Sequence, residues 1–433
     1  MLKRLFLIGF GVLIVGGIGF GVYAYKSPLP PITASERPEF SPEVIEKGRL
    51  LAAAGYCSEC HTAENGAPYA GNYAMETGFG TIYASNLTPA METGIGGYSV
   101  EAFRRAMKQG VDIDGRHLFP AFPYDHFTKM TDEDVAALYA YIMSEIAPVE
   151  LETKEAEIPF PLNQRFLQAG WKMLFVDFGE YEGEQAQTAE WNRGAYLAEG
   201  VAHCGACHTP RNPLGAEIES QQYSGATING WTAPALTSEN AAQVPWTAPD
   251  FAAYLKTGVS TYHGISAGPM GPVVHDGIRA LPDDDINALS LYFAEISGGD
   301  AADPATSETV LASLERGRPN PLYRRELGER LYATACASCH YNAAQIEAGR
   351  PDLGINSATN LDTSDNLVHV ILDGVNGPEG IAGVVMPGFR GALTEADIAA
   401  IAAYLRDERA GKPAWPDLVE TVSRLSETNA HSE

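Results

Sequence analysis

Cys57-Ser58-Glu59-Cys60-His61, Cys204-Gly205-Ala206-Cys207-His208 and Cys336-Ala337-Ser338-Cys339-His340 are three copies of one pentad, and they use all six cysteines of the chain. The spacing Cys-x-x-Cys-His is that of c-type haem attachment, in which both thiols bond to the porphyrin and the histidine takes one axial site of the iron. Cys57, Cys60, Cys204, Cys207, Cys336 and Cys339 are therefore expected to hold three covalently bound c-type haems. His61, His208 and His340 are the expected axial ligands. A structural zinc site needs four ligands and pairs its knuckles at short range, whereas these pairs lie more than a hundred residues apart. A thioredoxin-like motif is expected once, beside a βαβ pattern.

A chain of 433 residues has room for about three domains of ordinary size, which matches one haem for each. Its formal charge of −26 excludes nucleic acid as a partner, because phosphates need cations to neutralise them. Leu5 to Tyr25 is an uncharged, mostly apolar run. At about 1.5 Å per residue it spans roughly 31 Å, close to the hydrocarbon thickness of a bilayer. Lys3 and Arg4 precede it, so the positive-inside rule leaves the N-terminus in the cytoplasm and the remainder on the periplasmic side of the inner membrane. The run exceeds an ordinary signal core, which favours a retained transmembrane anchor over a cleaved signal peptide.

The chain also repeats around the pentads. Each follows a short helical pattern (from Glu46, Asn192 and Leu327) and is closed by a second one, from Thr131, Pro282 and Thr394. Thr131 with Asp134, and Thr394 with Asp397, read as helix-capping starts. Between the two patterns lies a Gly-Val step: Gly110-Val111, Gly258-Val259 and Gly374-Val375. Twelve residues after the glycine stand Met270 in the second repeat and Met386 in the third, and a thioether there completes His/Met coordination. The first repeat has Phe122 at that offset, which cannot bind iron. His126 is the candidate sixth ligand of the first haem, with Met130 as fallback and His117 on the same loop. The expected layout is mainly α. An anchor or signal segment at 1–30 precedes haem domains at 40–150, 187–298 and 322–410, with linkers at 151–186 and 299–321 and a tail at 411–433. The second linker, rich in Ala, Ser and Pro, reads as a tether.

With these motifs, the chain resembles the multihaem cytochrome c subunits of membrane-bound periplasmic dehydrogenases over about Glu46 to Arg406. The most specific matches are Tyr83-Ala84-Ser85-Asn86-Leu87-Thr88-Pro89 and His203 through Cys207-His208-Thr209-Pro210-Arg211-Asn212. Gly230-Trp231-Thr232-Ala233-Pro234-Ala235-Leu236-Thr237 is a third. The resemblance implies three tandem cytochrome c-type domains and an electron-transfer subunit without a catalytic site of its own. It also implies a large dehydrogenase partner (molybdopterin enzyme, quinoprotein or flavoprotein) and delivery of electrons to ubiquinone or a terminal oxidase. Pro120-Ala121-Phe122-Pro123-Tyr124-Asp125-His126-Phe127-Thr128 departs from the family's commoner Pro-Ala-Met-Pro-Tyr and looks more like the branch that partners molybdenum-containing oxidoreductases. A multihaem peroxidase or reductase with an open first haem, and a free-standing electron shuttle, are the competing readings.

Overall fold

A glycine inside the helix that precedes each pentad lets two helices touch. The opening helices are Pro42–Ala54, Ala189–Glu199 and Leu327–Ala335, and the closing ones Asp132–Glu145, Asp283–Ile296 and Glu395–Tyr404. A Cβ on Gly48 would lie 1.9 Å from the Ala137 carbonyl oxygen, on Gly194 2.0 Å from that of Ala288, and on Gly328 2.1 Å from that of Ala400. The Cβ atoms of Tyr141, Tyr292 and Tyr404, one turn further along, complete the three crossings. The closing helices start as expected: the Thr131 hydroxyl accepts from the Asp134 N–H, and Thr394 and Asp397 form a capping box. Lys47 pairs with Asp134 at 2.6 Å and Arg193 with Asp285 at 2.7 Å, tying opener to closer in the first two repeats.

Between them run the helices Val100–Gln109, Ala248–Thr257 and Asp365–Asp373, each ended by the glycine of the Gly-Val step. Gly110, Gly258 and Gly374 have φ of 59°, 80° and 76°, a backbone region open to glycine at little cost. The following valine then pairs across the loop: Val111 with His117, Val259 with Ile265 and Val375 with Met386. Two small antiparallel hairpins, Ala74–Thr77 with Gly80–Tyr83 and Ala226–Ile228 with Trp231–Ala233, lie between pentad and middle helix in the first two repeats.

The structure is a computed structural model, and it describes residues 2–299, 307–318, 326–342, 345–347, 349–375 and 384–428. The chain forms two compact units: 1–183 with 198–203 and 212–217, and 184–197 with 204–211 and 218–433. The first contains the first pentad and its helices, built on buried Leu51, Val135, Leu138, Tyr139 and Ile142. The second contains both remaining pentads.

Two segments are more ordered than their composition indicates. Within the expected 299–321 tether, Glu308–Arg316 is a helix whose Val310 and Leu314 share a small core with Val244, Ile346 and Ile355. The rest of that linker, 300–306 and 319–321, lies outside the described residues. The tail expected from 411 contains the helix Leu418–Thr428, whose Leu418, Val422 and Leu425 join the core of the third repeat; 429–433 lie outside the described residues. In both cases amphipathic spacing wins over an ordinary composition.

The apolar N-terminal run forms the helix Leu2–Ala24. Among the described residues, however, no helix is long and apolar enough to cross a membrane. The end of Leu2–Ala24 is tied to the first unit: Phe20 meets the ring of Phe166 edge-on at 6.4 Å, and the Ala24 carbonyl accepts from His117 Nε2 at 2.8 Å.

The glycine crossings are testable. Gly48→Ala inserts a methyl against a backbone carbonyl that cannot yield locally, so a loss of about 1–3 kcal/mol or more is expected as a lower denaturation midpoint. Gly78→Ala, where a Cβ would meet nothing within 4 Å, is the matched control.

Candidate haem-binding centres

Each pentad closes one helical turn, with the histidine N–H donating to the carbonyl of the first cysteine at 3.1 Å in all three copies. The imidazole is then pinned from its other side. His61 Nδ1 donates to the Ser85 carbonyl at 2.7 Å, His208 Nδ1 to that of Pro234 at 2.7 Å, and His340 Nδ1 to that of Pro351 at 3.1 Å. A carbonyl oxygen only accepts, so the proton sits on Nδ1 and the lone pair on Nε2. This is how a metal-ligating histidine is held in its correct tautomer. Burial also depresses the basicity of all three imidazoles, which keeps them neutral, as iron ligation requires.

The six cysteines are free, none in a disulfide. Burial, aided by the neighbouring thiol, pushes Cys57 and Cys204 up to about 12 and Cys336 to about 11. They are protonated at neutral pH, unlike an activated nucleophile. Paired free thiols beside an imidazole with its lone pair on Nε2 are a donor set that fits covalently attached haem at each pentad.

The distal candidates are placed less uniformly. Met386 lies on the short bridge opposite Val375, exchanging backbone hydrogen bonds of 2.9 and 3.1 Å with it. Met270 opens a single helical turn, Met270–Pro272, and is half-buried. One sequence offset thus conceals two local structures. Phe122 packs against Phe127, ring centroids 5.2 Å apart.

His126, the expected sixth ligand of the first centre, is committed elsewhere. Its Nδ1 donates to the Glu199 carbonyl and its Nε2 to Glu217 Oε1, both at 2.8 Å. Burial alone would push this imidazole down, but the hydrogen bond to Glu217 and that residue's charge raise it to about 9. Both ring nitrogens of His126 are thus engaged, one by a backbone carbonyl and one by the Glu217 carboxylate. His117, the other loop histidine, is equally engaged: Nε2 donates to Ala24, while Nδ1 accepts from Lys172 Nζ at 3.1 Å. Met130 is wholly buried.

Sequence reasoning missed both partners. Glu217 lies 91 residues from His126 and nothing local marks it. Lys172 lies in the 151–186 segment read as a linker, but the helix Leu167–Phe175 buries it against the first repeat. There it donates to the carbonyls of Gln109 and Gly110 at 2.6 and 2.5 Å, and burial, with the Lys26 charge outweighing the pull of Asp112, brings it down to about 7. His203, just before the second pentad, is held with φ of 36° and its Nε2 3.2 Å from the Gly55 carbonyl; burial lowers it to about 4.

Comparison with known proteins places the chain among cytochromes c. Residues 45–145 match the family model described as cytochrome c, and residues 324–405 that of cytochrome c oxidase, cbb3-type, subunit III. The chain is 40% identical over 422 residues to a nicotinate dehydrogenase subunit of Pseudomonas putida, covering 95% of this chain but 34% of the relative, so it spans about a third of that protein's length. It is 35% identical over 410 residues to the fructose dehydrogenase cytochrome subunit of Gluconobacter japonicus (89% of this chain, 82% of the relative). With the gluconate 2-dehydrogenase cytochrome c subunit of Pantoea cypripedii it shares 33% over 381 residues (84% and 85%).

The His126–Glu217 pair gives a pH signature. A histidine raised from 6.5 to about 9 in the folded state adds stability that is complete below pH 6.5 and lost as pH rises through about 9. Denaturation midpoints of the wild type are expected to fall across that window, and those of His126→Gln to lack the decline.

Proposed function

The chain belongs to the family of cytochrome c subunits of dehydrogenases, and from that membership we propose that it is the electron-transfer subunit of a periplasmic dehydrogenase complex, carrying three covalent haems. The observation that carries this reading is the threefold recurrence of a free cysteine pair beside an imidazole whose Nδ1 is bound to a backbone carbonyl. Bound haem supplies reversible one-electron chemistry at its iron. The chain's part is to attach it, fix the axial histidine, and set each potential through the second ligand and through burial.

In this reading Cys57 and Cys60 with His61 hold the first haem. Cys204 and Cys207 with His208 and Met270 hold the second, and Cys336 and Cys339 with His340 and Met386 the third. Electrons come from a separate catalytic subunit oxidising an alcohol, aldehyde or sugar-type substrate, and leave for ubiquinone or a terminal oxidase. The sequence around Phe122 and the similarity to the nicotinate dehydrogenase protein favour a molybdenum enzyme as that partner. Lys3 and Arg4, in the first turn of the helix Leu2–Ala24, support a body on the periplasmic face of the inner membrane.

The first centre differs from the other two. Phe122 has no donor atom and both loop histidines have both ring nitrogens committed, so we assign its iron an open sixth site. Carbon monoxide is expected to bind one haem in three of the fully reduced protein; if it binds none, Met130 closes the site.

Haem counting on purified protein tests the whole reading. Three haems per chain are expected, and two after Cys336→Ala with Cys339→Ala. Met270→His and Met386→His are each expected to lower the potential of one haem, because replacing thioether by imidazole removes the ligand that raises it. Isolation from membranes with a large dehydrogenase subunit supports the complex, whereas recovery as a lone soluble protein favours a free shuttle.

A further inference from the structure

The second and third repeats meet at an aromatic stack whose two residues lie on segments leading to both haem centres assigned above. Trp231 and His369 lie face to face, centroids 4.5 Å apart and planes 9° from parallel. Beside them Thr232 and Asn366 exchange two hydrogen bonds: the Thr232 N–H donates to Asn366 Oδ1 and Asn366 Nδ2 donates to the Thr232 carbonyl, both at 2.8 Å.

The position of the stack gives it its meaning. Trp231 precedes by three residues Pro234, whose carbonyl holds the axial His208. Its ring lies so close to Gly268, two residues before Met270, that a Cβ on that glycine would be 2.4 Å away. Both walls of the second centre therefore rest on one indole. His369 lies on the helix Asp365–Asp373, which ends in Gly374 and hands the chain to Val375, the backbone partner of Met386. The stack therefore joins the loop that leads into Met270 to the helix that leads into the backbone partner of Met386.

A second tie makes the junction stiff. The helix Glu308–Arg316 places Val310 and Leu314 in the small core shared by the two repeats, and its Ser313 donates to Asp352 at 2.7 Å. That carboxylate also takes Arg409 at 3.0 Å, both side chains almost fully buried.

We propose that Trp231 and His369 are positioning residues that lock the second and third repeats into one body with a single separation between their centres, the helix Glu308–Arg316 acting as a strap. This rests on the haem assignment above. The stack itself undergoes no redox change; it sets a distance.

The test uses the full-length, haem-loaded ferric protein and three variants: Trp231→Leu, Trp231→Phe and His369→Leu. Pulsed electron paramagnetic resonance is expected to show one narrow iron–iron distance for this pair, retained in Trp231→Phe and broadened in both leucine variants. Haem content and the far-red methionine-to-iron band are recorded on the same samples. An unchanged distance distribution in His369→Leu, which leaves the second-repeat hairpin intact, overturns the proposal. Hydrogen exchange on the wild type decides independently of any variant: the two repeats are expected to open as one unit, and separate opening overturns the lock. A wild type without three haems or without a methionine band defeats the functional assignment instead, which separates the two failures.

Discussion

A hydrogen bond from imidazole Nδ1 to a backbone carbonyl, made three times over, is the constraint on which the rest of this protein depends. It fixes the tautomer, points the lone pair, and requires that a loop be delivered to the right place beside each pentad. The carbonyls come from 24, 26 and 11 residues downstream. In the first two repeats a two-stranded hairpin ends just before the carbonyl, at Tyr83 and Ala233, and so acts as the delivery arm. The third repeat reaches Pro351 by a shorter path. The net worth of one such bond is only about 1 kcal/mol, so the precision comes from the scaffold around it. That scaffold is the glycine crossing, where backbone meets backbone too closely for any side chain.

The first repeat keeps this histidine–carbonyl bond but has Phe122 where the other two repeats have methionine. With phenylalanine at the methionine offset, the loop packs its rings against one another. The histidine four residues on turns to a carboxylate that local sequence does not associate with it. A protonated imidazole on a buried carboxylate is stable there because each partner satisfies the other, and removing either strands a charge away from water. The same atoms cannot serve both the ion pair and iron. Lys172 shows the opposite solution, since it is buried among carbonyls and loses its affinity for the proton instead.

In the second unit, two repeats that look independent in sequence share structure. The segment between them contributes a helix to a common core, and a stacked pair and a reciprocal amide clamp close the seam. Alternating composition of small and polar residues suggests a tether to the eye. Two apolar residues one turn apart, Val310 and Leu314, are enough to anchor it.

Periodicity and spacing alone marked the three pentads with their histidines, the helix starts at Thr131 and Thr394 and the recurring Gly-Val step. These are set within a turn or two of chain, where a helix or a cap leaves little choice. Only the tertiary structure decided that His126 belongs to Glu217, that Lys172 is buried, and that Glu308–Arg316 and Leu418–Thr428 are helices packed on a core. Those outcomes depend on groups brought together from as far as 91 residues away. Burial and the need to satisfy every buried polar atom choose such partners, and neither is written in the local pattern of residues.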